Sequence, residues 1–225
     1  MNFDSYTDLG VEAAAGLVNL LTPGFNRGRA QQVGQSRSDR QRRAEEAETT
    51  IWGSSGRLSD SESGGLYELA ERLRPVFEAA ARGAQDDVAH LINALLRDYH
   101  AAPQLARHDS EPWHLHFHSQ EKEAGRARAR GATCATALAI VVGTGGLSRL
   151  GVCRADRCNR VFVDTSRNAS KQFCSPSCMS RQKVASFRAR RATASVPETL
   201  SRVDDPRASE LRIQGTTSAA AAPRP

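Results

Sequence analysis

The sequence predicts a mainly α-helical protein that ends in a small ββα module and a disordered tail. Three observations lead there. Apolar residues recur at helical spacing in several segments of the first 148 residues. Four of the five cysteines fall in two close pairs between residues 153 and 178. From residue 193 the chain is rich in Ser, Ala and Pro with scattered charge, a composition unable to bury a core. The expected organisation is a helical domain over 1–148 with a partly flexible insertion at 24–65, a cysteine-bearing module over 150–192, and a disordered tail over 193–225.

The first helix is expected over residues 8–21, where Val11, Ala14 or Ala15, Val18 and Leu21 share a face. Thr7 or Asp8 can cap it, and Thr22-Pro23-Gly24 ends it. Within 24–65 the middle, 38–52, reads as helix, while the flanks "GFNRGRAQQVGQS" and "GSSGRLSDSESGG" read as flexible loops. A second helix over 66–81 aligns Leu66, Leu69, Leu73, Phe77 and Ala80, and Pro75 inside it should kink or split it. Asp86 can cap a third that runs to Tyr99, striped by Val88, Leu91, Ile92, Leu95 and Leu96. A fourth, roughly 121–142, starts charged, turns apolar after Gly131 and ends at Gly143, Gly145 and Gly146.

Between the third and fourth helices "WHLHFHS" alternates with period two, as a strand does. His114, His116 and His118 would share one face and Trp113, Leu115 and Phe117 the other. Histidines two apart on a strand rarely converge on one ion without further ligands, so a half-buried strand is the preferred reading. Any role for the three histidines stays open.

Charge is unevenly spread. Residues 151–193 hold ten Lys or Arg against Asp156 and Asp164, a net +8, while residues 1–150 are at −2 and 194–225 at zero. The whole excess therefore sits on the cysteine-bearing module, the footprint of a phosphate-binding surface. No apolar run approaches the ~20 residues of a membrane helix, and the N-terminus lacks the cationic region of a secretory signal. A cytoplasmic protein with no membrane partner is expected, and in a reducing compartment paired cysteines read as metal ligands before disulfides.

The spacing is Cys153-x4-Cys158-x15-Cys174-x3-Cys178. Each pair can close a knuckle around one ion, and the 15-residue gap suits a hairpin, with "RVFV" and "KQF" as strands and "DTSRNAS" as the turn. From Ser175 a helix can start, with Ser175 as N-cap, Pro176 at the first helical position and Cys178 on its first turn. Knuckle, hairpin and ligand-bearing helix outline a treble-clef-like ββα finger around one structural zinc ion, with Cys153, Cys158, Cys174 and Cys178 as ligands. Four protein ligands leave no open position for a substrate, so the site argues structure rather than catalysis. Two disulfides, an iron–sulfur cluster and a zinc–thiolate redox switch are the alternatives. Cys134, flanked by alanines in a helix, reads as a small buried residue.

The helix after Cys178 carries Arg181, Lys183, Arg188, Arg190 and Arg191, and Arg160, Arg167 and Lys171 add charge from the hairpin. These eight are the candidate nucleic-acid contacts, since arginine forks suit phosphate oxygens and guanine edges. Val184 and Phe187 form an apolar strip expected to pack on the hairpin.

The stretch "RLGVCRADRCNRVFVDTSRNASKQFCSPSCMSRQKVASFRARR" resembles the CGNR-type zinc finger of bacterial proteins. Phe162, Asp164, Ser166, Arg167 and Asn168 match that family's F-x-D-x-S-R-N turn, and the four cysteines match its ligands. Of the name-giving tetrad Cys178 and Arg181 remain, with Met179 and Ser180 in place of Gly and Asn. Upstream, "GVEAAAGLVNLL" and "WHLHFH" resemble the opening helix and a later strand of the ABATE-type domain that accompanies this finger. The resemblance implies a stress-responsive bacterial transcription regulator. The expected function is then DNA binding by the finger, with the helical domain sensing a signal or forming a homodimer. The alternative is a zinc-stabilised module docking an acidic protein partner. No nucleophile–base pair or phosphate loop suggests an enzyme.

Overall fold

A computed structural model describes residues 5–107, 114–119 and 125–194 of the chain. Helix α1 (Ser5–Leu21) carries small or branched apolar residues at most positions, and Val11, Ala14, Leu17, Val18 and Leu21 are wholly buried. A helix so apolar belongs at the centre of a core. It packs against α2 (Arg37–Trp52), α3 (Asp60–Ala81) and α5 (Arg126–Gly143), while α4 (Gln85–Asp98) packs on α3 and α5. Gly10 lets α1 and α5 approach closely, for a Cβ there would stand 2.6 Å from that of Ala137.

Two segments expected to be loops are ordered. Residues 24–31 form a hairpin, β1 (Gly24–Asn26) paired antiparallel with β2 (Arg29–Gln31). Arg27 and Gly28 make the two-residue turn, with φ of 53° and 90°, as in a type I′ turn. Asn-Gly would have announced it, and Arg-Gly does not. Helix α3 starts at Asp60 rather than at residue 66 because Ser59 and Glu62 form a capping box, each accepting a hydrogen bond from the other's backbone N–H. The helix also runs through Pro75 as one element, with Leu73, Val76 and Phe77 wholly buried beside it. Burial there outweighs the backbone hydrogen bond that proline forgoes.

Helix α2 lies where the sequence places it, capped by Ser36, whose Oγ accepts from the Asp39 N–H, and ended by Gly53 at φ 65°. Its buried Glu48, 1% exposed, takes two hydrogen bonds from Arg130 of α5, at 3.1 and 2.9 Å. Arg130 also lies over the ring of Trp52, 4.3 Å from its centroid. The charged start of α5 is thus partly inside the protein.

The strand expected near the histidines is β4 (His114–Ser119), and its antiparallel partner β3 (Ala101–Ala106) was hidden by Pro103. The side chains of β4, and with them the histidine face, lie outside the described residues, as do residues 121–124 of the expected fourth helix and the tail from 195.

After α5 a short turn leads into β5 (Leu150–Val152), which pairs antiparallel with β6 (Val161–Val163), and α6 (Pro176–Ala194) follows. The partner of "VFV" is therefore the strand before Cys153, and residues 171–173 form no strand. The reason is burial: Leu150, Val161 and Val163 belong to the same apolar core as α1 and α3. Asn19, 8% exposed, fixes the contact, its side chain donating to the Val161 carbonyl and accepting from the Val161 N–H, both at 2.9 Å. The described residues up to Val184 thus form one compact unit, and residues 185–194 fall in a second.

Candidate metal centre

The β5–β6 hairpin places Cys153 and Cys158 in the knuckle at its tip. Cys174 comes from the loop before α6, and Cys178 from its first turn, where the Ser175 Oγ accepts the Cys178 N–H at 3.3 Å. The capping and proline signals at 175–176 thus mark the start of this helix. The four Sγ atoms all lie within 4.8 Å of one another. Those of Cys158, Cys174 and Cys178 form a nearly equilateral triangle of 3.8, 3.7 and 3.7 Å. Tetrahedral zinc with bonds of ~2.3 Å requires sulfur–sulfur edges of about 3.8 Å, and a disulfide requires ~2.05 Å. The near-equal spacing prefers no pairing and fits one four-coordinate ion.

The protonation chemistry agrees. Burial pushes the Cys153 thiol up. Burial, joined by the charge of Cys153 and Cys158, raises Cys174 far above the ordinary thiol range. Burial acts against Cys158 too, but hydrogen bonds from the backbone amides of Arg27 and Arg160 bring it down to about 7. Crowded thiols of this kind cannot all ionise unaided, and a divalent cation removes the conflict. The chain therefore holds one structural zinc ion on Cys153, Cys158, Cys174 and Cys178. Cys134 is buried elsewhere, with burial pushing its thiol up to about 12.

The 164–171 loop, which holds the "DTSRN" turn, is folded around one carboxylate. Asp164, 1% exposed, accepts from the backbone N–H groups of Ser166 and Lys171 at 2.8 and 2.6 Å. Burial would raise its carboxyl, but these bonds, with the Ser166 side chain and Arg149, hold it below the ordinary carboxylate range. Arg149 donates to the Asp164 and Ser166 carbonyls, both at 2.8 Å.

The knuckle is also gripped by the β1–β2 hairpin. Asn159 donates its backbone N–H to the Phe25 carbonyl at 3.1 Å, and its side chain accepts from the Phe25 N–H at 2.7 Å. Gly28 donates to the Arg157 carbonyl at 2.9 Å. Arg74 of α3 reaches the Asn159 carbonyl at 3.2 Å.

The expected basic residues fall into two groups. Arg181 donates to the Asp156 carbonyl, and its Nη1 lies 2.7 Å from where a Gly28 Cβ would be. Lys171 donates to the Val163 carbonyl at 3.0 Å. Both tie the module together. Arg167, Lys183, Arg188, Arg190 and Arg191 are exposed, and Arg160 is half-buried. Four exposed arginines were missed: Arg27 and Arg29 on the hairpin, and Arg154 and Arg157 on the knuckle. The hairpin pair was hidden by the loop-like composition of "FNRGR". Val184 and Phe187, expected to pack on the hairpin, are 49% and 54% exposed.

Residues 149–191 match the family model described as "CGNR zinc finger". Residues 41–145 match a second, ABATE, described as "Putative stress-induced transcription regulator". The second match starts at residue 41, so α1 and the β1–β2 hairpin lie outside it. No curated protein matches the chain. The two matches and the cysteine geometry together point to a transcription regulator with a zinc-binding motif, and neither family description names an enzyme.

Proposed function

We propose that the protein is a cytoplasmic DNA-binding regulator in which zinc fixes a composite basic face on the finger, residues 150–192. The observation that carries this reading is the crowding of exposed arginines from two distant segments around one metal site. The hairpin supplies Arg27 and Arg29, the knuckle supplies Arg154 and Arg157, and the docking bonds of Phe25 and Gly28 hold the segments together. Asp156 is the one acidic residue of the knuckle itself. Arg167 and Lys183 add to the set, and α6 carries Arg188, Arg190 and Arg191 further along its length. Arginines in such number favour phosphate contacts, which position a protein on the duplex. The helical part, roughly 1–148, then senses a signal or mediates dimerisation.

A second reading has the same face dock an acidic protein, and the exposed Met179, Val184 and Phe187 of α6 favour it. A mobility shift on random duplex DNA at 50 and 200 mM salt separates the two. Electrostatic DNA binding through six or more phosphate contacts loses roughly a thousandfold between these conditions. No shift at either concentration would remove the DNA reading.

A further inference from the structure

On the side of the β5–β6 hairpin lies a half-open cavity of about 470 Å³, bounded by the end of α3, the hairpin and the 169–172 loop. Its lining includes Arg82, Arg154 and Lys171, and no carboxylate. Arg82 and Arg154 have no ion-pair or hydrogen-bond partner for their guanidinium groups among the described residues, whereas Lys171 is held by the Val163 carbonyl and lies 5.3 Å from the centroid of the Phe162 ring. The negative end of α3 also faces this space, but its carbonyls at 78, 79 and 80 already accept from the N–H groups of Arg82, Gly83 and Ala84. The floor is apolar. Leu150 and Phe162 line it, and the Phe162 ring lies so close to Gly151 that a Cβ there would stand 2.7 Å away.

We infer that this cavity binds a small organic anion, a phosphate ester or carboxylate with an apolar body. Three cations without a counter-charge, two of them unpartnered, favour a negative head, and ring and aliphatic floor suit an apolar remainder. The volume lies within the ordinary range of about 300–1,000 Å³ for small-molecule sites. The ligand would touch the end of α3 through Arg82 and the finger through Arg154, which follows Cys153 and donates its backbone N–H to the Gln172 carbonyl at 3.0 Å. The site stands whether or not the basic face binds DNA. Only its use as a signal input rests on that reading.

The test is calorimetric titration of the zinc-loaded full chain with phenyl phosphate and, separately, with phenol. Saturable one-to-one binding is expected for phenyl phosphate and none for phenol. Arg82→Ala and Arg154→Ala should each weaken it about tenfold, the scale of one charge-assisted hydrogen bond. Ser170→Glu, a carboxylate at the exposed lip, should abolish it. Bound zinc and thermal unfolding of all three variants should match the parent. No saturable binding, equal binding of phenol, or indifference to the three substitutions would overturn the site, whatever the protein does with DNA.

Discussion

The helical body and the zinc module are neighbours in one compact unit, yet they are held by different physics. The body has a continuous apolar core with more than a dozen wholly buried side chains from α1, α3, α4 and α5. Around the metal the buried cluster shrinks to Cys153, Ala155, Cys158 and Cys178, with Phe173 and Cys174 beside them. Four thiols and an alanine cannot hold knuckle, loop and helix against chain entropy, so the metal must. The hairpin strands belong to the body's core while their tip belongs to the metal.

The largest break in this contrast is removal of a ligand. Cys174→Ser should abolish stable zinc binding and release the knuckle, residues 172–175 and the start of α6, since structural zinc contributes about 10–16 kcal/mol in small modules. Hydrogen exchange should then show α1–α5 still protected. Acid should act likewise, because protons compete with zinc for the thiolates. Asp164 stays out of that transition: its carboxyl is depressed, so its stabilisation is full above the ordinary carboxylate range and is lost only as pH falls below it. Loss of the helical body together with the metal would break the comparison.

The reverse experiment is Arg130→Ala, which strands the buried carboxylate of Glu48. It should cost the body about 3 kcal/mol in denaturant unfolding while bound zinc stays at one equivalent. Asn19→Ala cuts across the seam, leaving the Val161 N–H and carbonyl unpaired. A smaller loss of about 2 kcal/mol is expected, with faster exchange at both α1 and β6.

The two regions were also unequally legible in the sequence. The ligands were readable because cysteine spacing encodes the geometry directly, and α1, α2 and α4 because their apolar stripes or caps are local signals. What failed was what depends on contacts between distant segments. "RVFV" pairs with residues 150–152 because Leu150 and Val163 share the core of α1, which no local pattern records. The hairpin at 24–31 is ordered by bonds to Asn159 and Arg157, more than a hundred residues away, so its composition alone read as loop. The exposed arginines it carries were missed with it. Arg181 was read for its charge alone, and its bond to the Asp156 carbonyl, twenty-five residues away in sequence, had no local signal.

The central claim, that zinc presents a composite basic face to DNA, is tested most directly by the salt dependence of duplex binding in fluorescence anisotropy. The zinc-loaded full chain is compared with the Arg27→Asn/Arg157→Asn double variant, asparagine being chosen because both sites have positive φ. The account predicts a steep inverse dependence on salt for the parent, and a slope smaller by about two in the variant with zinc content unchanged. Equal slopes for the two proteins, or binding indifferent to salt, would contradict it.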